Sequence, residues 1–332
     1  MQNGKEWTKN RFLCSMIVFV LLLFLSFLLI LGSKLIGELH FENGGTITLA
    51  MAPLVLMSLL LGPVYGTLGG LLFGLFDLFV DQAFSIHWLS MLLDYFLAFG
   101  LVGVASVFSR SYFHKRPFSL LAATELFGAL RYLCHFFSGI FLDFGGDNTS
   151  SLAPLDKITV SKVSYSAIYN MSYILPSFLM TSLVLIILCK PLFLLNRTTF
   201  IKTIAGKKMS DDGWKDDNDP SESFDLSLLN MNITISFFAC LFYIPRFMMD
   251  FRKGLGFSVL TILLLSSAAV VCVSLYAFME DIINKTPYLD KKTLRYKLFH
   301  YNYRYDAFIL FSSVVPLLLT VGDFVLFSTF KA

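Results

Sequence analysis

The chain is short of charge. Of its 332 residues 15% are Asp, Glu, Lys or Arg, against 56% that are hydrophobic, 36 phenylalanines among them. A water-soluble domain of this size could not hide so much apolar surface. Cysteine is scarce as well: Cys14, Cys134, Cys189, Cys240 and Cys272 all lie inside or at the ends of apolar runs, and none forms a CxxC. That spacing gives no disulfide framework and no metal site. Catalytic signatures are missing too. No GxGxxG follows a strand, and there is no Walker lysine loop, HExxH or GxSxG. His135 with Asp94 could serve as an acid–base pair, but no nucleophile or metal set accompanies it. Binding and transport therefore outrank catalysis, and no cofactor is expected. The first apolar run is too long for a removable signal peptide and lacks a small-residue cleavage site.

What the sequence does have is a series of apolar runs of about 20 residues, each long enough to cross a bilayer. An outer-membrane barrel would instead show short alternating strands. The expected fold is all-α and polytopic, with spans at about 12–32, 46–62, 64–80, 88–108, 118–142, 163–189, 228–245, 256–279 and 307–330. With the N-terminus in the cytoplasm, inside segments carry 18 of the 26 Lys and Arg residues and outside segments carry 6. That excess supports an N-inside orientation. Nine spans then put the C-terminus outside, in a plasma-membrane protein.

Gly62, Gly66, Gly70 and Gly74 recur at intervals of four, a small-residue ridge that lets helices touch closely. An acidic stretch from Ser210 to Ser227 surrounds Pro220 and reads as a solvated cytoplasmic linker. It divides a membrane domain at 1–195, followed by a linker at 196–227, from a three-helix extension at 228–332. Between the last two spans, Lys291, Lys292, Arg295 and Lys297 mix with Tyr288, Tyr296, Tyr301 and Tyr303. Against a membrane that mixture suits lipid headgroups and not nucleic acid. Asp323, in the last span, reads as a group near the outer interface, with an intramembrane acid as the alternative.

Polar residues inside the spans collect at one depth. Asp94 and Tyr95 lie two turns into a span that starts outside. Arg131, His135 and Gly139 share one stripe of the next helix at intervals of four, with His135 and Gly139 in its outer half. Tyr165, Tyr169 and Asn170 lie in the first two turns of the helix after that. A buried arginine costs about 2.5–3.5 kcal/mol at the bilayer centre, so Arg131 should face a bundle interior or a wet cavity. A polar packing seam is the plainer reading of that stripe. The shared depth of all three helices points instead to a cavity with an anion, hydrogen-bonding groups and aromatic walls.

Pro53, YGTLGGLLFG (65–74), LLDYFLAF (92–99), RYLCHFFSGIF (131–141) and YSAIYN (165–170) follow one another with the spacing of a known family. From about residue 12 to 190 the chain resembles the thiamine-binding S-components of energy-coupling-factor vitamin transporters. The resemblance implies a six-helix vitamin-binding bundle and a substrate site at Asp94, Tyr95, His135, Gly139, Tyr165 and Asn170. Its implied partners are a transmembrane coupling subunit and two ATPase subunits. Thiamine offers an aminopyrimidine and a cationic thiazolium, which a carboxylate and aromatic rings would hold. Asp94 would be the anionic anchor, Tyr95 and Tyr165 the ring contacts, and His135 and Asn170 hydrogen-bonding groups. Arg131 would hold Asp94 or the helix seam, and Tyr169 would support the site.

The chain departs from that family at four places. A stacking tryptophan falls on Asp143, and another falls near Gly44–Gly45. The anchoring glutamate is Asp94, one methylene shorter, and Trp88, seven residues before Tyr95, is the candidate replacement ring. Span one lacks the small-residue stripe that docks on an energising subunit. A thiamine phosphate, a pyrimidine precursor or another cationic vitamin thus stays open as the ligand. So do a self-contained secondary transporter and a scaffold or enzyme that kept the fold and lost the pocket.

Overall fold

The computed structural model describes residues 2–36, 45–81, 87–144, 150–152, 160–196, 198–205, 228–236, 239, 258–285 and 303–329. Its residues form two compact units, residues 1–218 with 250–256 and residues 219–249 with 257–332. Among the described residues five helices are long and apolar enough to cross a membrane: Asn10–Leu35, Pro63–Val80, Trp88–Phe113, Phe118–Phe141 and Lys162–Ile187. The chain is a multi-pass, all-α membrane protein.

In the first unit, α1 (Gln2–Leu35) shows how the bundle faces lipid. Leu13, Ile17, Val20, Phe24, Leu28 and Leu31 are exposed at intervals of three and four, while Ser15, Phe19, Ser26 and Ile30 are buried on the other side. Apolar side chains thus cover the outward face, and Ser26 Oγ returns its hydrogen bond to its own helix at Leu22 O, 3.0 Å away. The second expected span is shorter than its apolar run. Helix α2 covers only Met51–Leu61, because residues 45–50 run in without helical structure and Gly62 ends the helix at φ 97°. Only glycine takes that backbone angle at little cost. Pro63 then starts α3 (Pro63–Val80) at the first helical position, where its missing N–H is no loss.

The glycine ridge of α3 packs on α4 (Trp88–Phe113). A Cβ at Gly66 would meet Ser58 and the Gly103 backbone, one at Gly70 the Phe99 carbonyl, and one at Gly74 the Tyr95 carbonyl. Helix α4 is not regular. It widens to a π turn over Met91–Leu97, where the Ala98 N–H bonds Leu93 O, and tightens to 3-10 geometry over Leu101–Phe108. Phe73 and Phe99 meet edge to face across the ridge, centroids 4.8 Å apart.

Helix α5 (Phe118–Phe141) packs along α6 (Val160–Ile187), with the Phe178 ring filling the space a side chain at Gly128 would need. Beyond α5 the chain does not stay helical to 142. Leu142–Phe144 (β1) and Ser150–Leu152 (β2) form a short antiparallel pair with Asp143 opposite Ser151. Two short helices follow, α7 (Cys189–Leu195) and α8 (Thr199–Ala205). Arg11 Nε donates to Ile204 O at 3.1 Å, tying α8 back to α1. The acidic stretch 210–227 and the basic, tyrosine-rich residues 286–302 lie outside the described residues.

The second unit contains helix 228–236, α9 (Ser258–Lys285) and α10 (Tyr303–Thr329). Asn232 Nδ2 donates to Ser312 Oγ at 3.1 Å, and Ser267 Oγ lies 3.0 Å from Thr320 Oγ1.

The ridge yields a stability test. Gly70→Ala should cost about 1–3 kcal/mol, because the new methyl meets a backbone carbonyl that cannot step aside. Gly32→Ala, where nothing lies within 4 Å, should leave thermal unfolding in detergent unchanged. Equal behaviour of the two variants would refute the close contact.

Candidate functional site

Three successive helices of the first unit bring the site together. The wide turn of α4 presents Asp94 toward α5. Its Oδ1 lies 2.9 Å from His135 Nδ1, and its Oδ2 accepts from Ser90 Oγ at 2.5 Å and Ser138 Oγ at 2.6 Å. Ser90 is one helical turn before Asp94 and shares its face, and Ser138 is three residues after His135 on α5, so that both groups of that stripe reach the carboxylate from across the helix contact. A carboxylate sunk this far among apolar helices needs such donors, since leaving it bare costs several kcal/mol.

His135 is held from its other side. Arg131 Nε donates to His135 Nε2 at 3.4 Å. A guanidinium has only N–H groups to offer, so Nε2 acts as acceptor and the ring proton sits on Nδ1, aimed at Asp94. This tautomer follows from the hydrogen-bond network. Arg131 is buried, with Nη1 3.3 Å from Met51 Sδ and the guanidinium carbon 4.5 Å from the centre of the Phe99 ring. It forms no ion pair among the described residues. Sequence reasoning offered Asp94 or the helix seam as its partner; the structure places it on the seam and on His135.

Asn170 is the joint between α5 and α6. Its Nδ2 lies 3.1 Å from His135 O and 2.9 Å from Ser166 O, and its Oδ1 accepts from Tyr173 OH at 2.8 Å. Its amide is therefore committed inside the protein. Gly139 belongs to the same joint: a Cβ there would collide with Ser166, whose Oγ donates to Phe136 O at 2.9 Å.

From Tyr173 an aromatic ladder climbs α6. The Tyr173 ring meets His135 edge-on at 5.8 Å and Tyr169 at 5.7 Å, and Tyr169 stacks on Tyr165 at 5.9 Å and 14°. Tyr173 is buried, whereas Tyr165 at the far end is 55% exposed. The Gly45 N–H donates to Tyr169 OH at 3.4 Å, and the Tyr173 ring occupies the place that a side chain at 45 would need.

Tyr95 turns away from this cluster. It is buried, and its hydroxyl donates to Asp81 Oδ2 at 3.1 Å. Lys34 Nζ lies 2.6 Å from Asp77 Oδ1 and also pairs with Asp81. Burial first, and Asp77 beside it second, push the Asp81 carboxyl above its usual range, with Lys34 opposing. Trp88 is 62% exposed and lies near His87, apart from the ladder. Asp143 sits in β1, and its side chain lies outside the description. Sequence reasoning missed Ser90, Ser138, Tyr173 and the Lys34–Asp77–Asp81 cluster. The serines were detectable as same-face neighbours of Asp94 and His135, and Tyr173 as the residue one turn past Tyr169.

The first unit is a bundle of membrane-length helices that gathers a carboxylate, an imidazole and a run of tyrosine rings, and it defines a multi-pass membrane protein. The sequence profile of the Thiamine transporter protein family (Thia_YuaJ) matches residues 16–196, and the chain belongs to that family. The chain is 33% identical over 158 residues to "Thiamine transporter ThiT" of Bacillus subtilis (strain 168), covering 45% of this chain and 78% of that protein. No solved structure matches.

The Asn170 joint can be tested by removing one oxygen. Tyr173→Phe takes the donor from Asn170 Oδ1 and should destabilise the protein by about 1–3 kcal/mol, read as a lowered unfolding temperature. Tyr169→Phe, which gives up the longer bond from Gly45, should cost less. The reverse order would mean that Asn170 is oriented some other way.

Proposed function

We propose that the chain captures thiamine, or a molecule sharing its aminopyrimidine and cationic ring, from the outer face of the cell membrane for uptake. The observation that carries this reading is the pairing of an ordered carboxylate, Asp94, with the tyrosine ladder that begins at His135. Asp94 would accept from the amino group and favour the positive ring. Tyr165 and Tyr169 would offer faces to the rings, with cation–π attraction of about 0.5–2 kcal/mol. His135 orients Asp94, and Asn170 and Gly139 hold α5 and α6 at the separation the site needs. Tyr95 enters as the brace of the π turn, in place of the ring contact first expected of it. Trp88 lies by the outer approach in this reading, and Asp143 stands where the resemblance implies a tryptophan. The relative named for thiamine transport, similar over most of its length, supports the choice of ligand.

In the same proposal the N-terminus is cytoplasmic, residues 1–195 form the binding domain, and residues 228–332 form an extension after a linker at 196–227. Energy would come from a separate coupling subunit with two ATPases, because the sequence carries no nucleotide motif. A self-contained transporter is the second reading, favoured by the buried acid Asp323 in the extension.

Calorimetric titration of the detergent-purified protein with thiamine decides the first point. Wild-type protein should bind, and Asp94→Asn should weaken binding at least roughly tenfold, or about 1.4 kcal/mol. His135→Ala should weaken it as well by freeing Asp94 to turn. If wild type gives no heat with thiamine, its phosphates or its pyrimidine half, the assignment of ligand fails.

A further inference from the structure

The second unit lies beyond the residues that the family covers, and α10 carries an acid into its interior. Asp323 is fully buried, and neither of its carboxyl oxygens has a hydrogen-bond partner among the described residues. It extends a buried stripe of α10 through Ser313, Pro316 and Thr320, spaced three and four residues apart. Thr320 joins that stripe to α9 through Ser267. Ser274 Oγ of α9 is also buried without a partner. The remaining buried residues described in this unit are apolar or carry hydroxyl or amide groups. None can titrate, and the titratable Cys272 and Tyr276 of α9 are exposed.

A bare carboxylate in such surroundings is the most expensive arrangement available to the chain. Intramembrane acids that persist usually mark an ion or proton path. Hydroxyls can pass a hydrogen bond along a helix seam, and Pro316 withholds the N–H that would otherwise bond the Ser312 carbonyl, leaving a further acceptor on the same helix. Among the described residues no cation stands beside this acid, and its oxygens are closed to solvent, so the partner that fits it is a proton.

We propose that Asp323 is an intramembrane proton-binding site of the C-terminal unit. The carboxylate accepts a proton to form one O–H bond and returns it to a base on the aqueous side, with no change of oxidation state. This gives the extension a means of responding to a proton gradient, and it stands whether or not the first unit binds thiamine.

Infrared difference spectroscopy on the full chain in lipid vesicles tests it. Wild type should show the carbonyl stretch of a protonated carboxyl, shifted in D2O and lost reversibly as pH is raised. Asp323→Asn should lack that band, and Asp77→Asn should keep it. A membrane-permeant carbodiimide, which attacks protonated carboxyls, should label residue 323 of the wild-type chain at low pH and not at high pH; this arm decides the matter if the Asn variant fails to fold. A band indifferent to Asp323→Asn, a band that never titrates, or no labelling at 323 would overturn the proposal.

Discussion

A carboxylate inside an apolar bundle must be answered by donors, and much of the first unit is arranged around answering Asp94. Ser90, Ser138 and His135 fill its oxygens. His135 can donate from Nδ1 because Arg131 occupies Nε2, and Arg131 in turn rests on Phe99 and Met51 without a carboxylate of its own. The arrangement leaves the negative charge of Asp94 uncancelled by direct contact with the arginine. A site meant for a cation benefits from that separation, whereas a direct Asp94–Arg131 pair would have neutralised it.

The backbone geometry serves the same end. Neighbouring residues of a helix point about 100° apart, and a π turn, with more residues to the turn, narrows that angle and shifts the register of the side chains beyond it. Over Met91–Leu97 Asp94 faces α5 while Tyr95 faces Asp81. The wide turn needs a close neighbour to hold it. Gly70 and Gly74 let α3 lie directly on the carbonyls of Phe99 and Tyr95, and the Tyr95 hydroxyl pins the other side.

Periodicity and depth made part of this readable from sequence. Arg131, His135 and Gly139 share a stripe, and Asn170 sits at the matching depth of the next helix, so their convergence required only regular helices. Tyr95 was misplaced because adjacency to Asp94 suggested a common cavity, although neighbours on a helix point about 100° apart. Lys34 passed as an ordinary charge flanking a span, since its partners are 43 and 47 residues away. The shortness of α2 depends on the backbone angle at Gly62 and on residues 45–50, whose sequence is as apolar as a helix. Serines are common in membrane helices, so Ser90 and Ser138 stood out only through their spacing of four and three residues from Asp94 and His135.

Asp94 and Asp323 show two ways of keeping an acid among membrane helices. At Asp94 three donors, Ser90, Ser138 and His135, fill the carboxylate oxygens. At Asp323 no donor stands within reach among the described residues, so the charge itself is what the surroundings reject. The same residue type is thereby suited to opposite tasks. On the two proposals, a carboxylate fixed by hydrogen bonds serves to hold a cationic ligand, and an unsupported carboxyl serves to take up and release a proton. That contrast follows from counting donors, and it separates the chemistry of the extension from that of the family domain before any partner is considered.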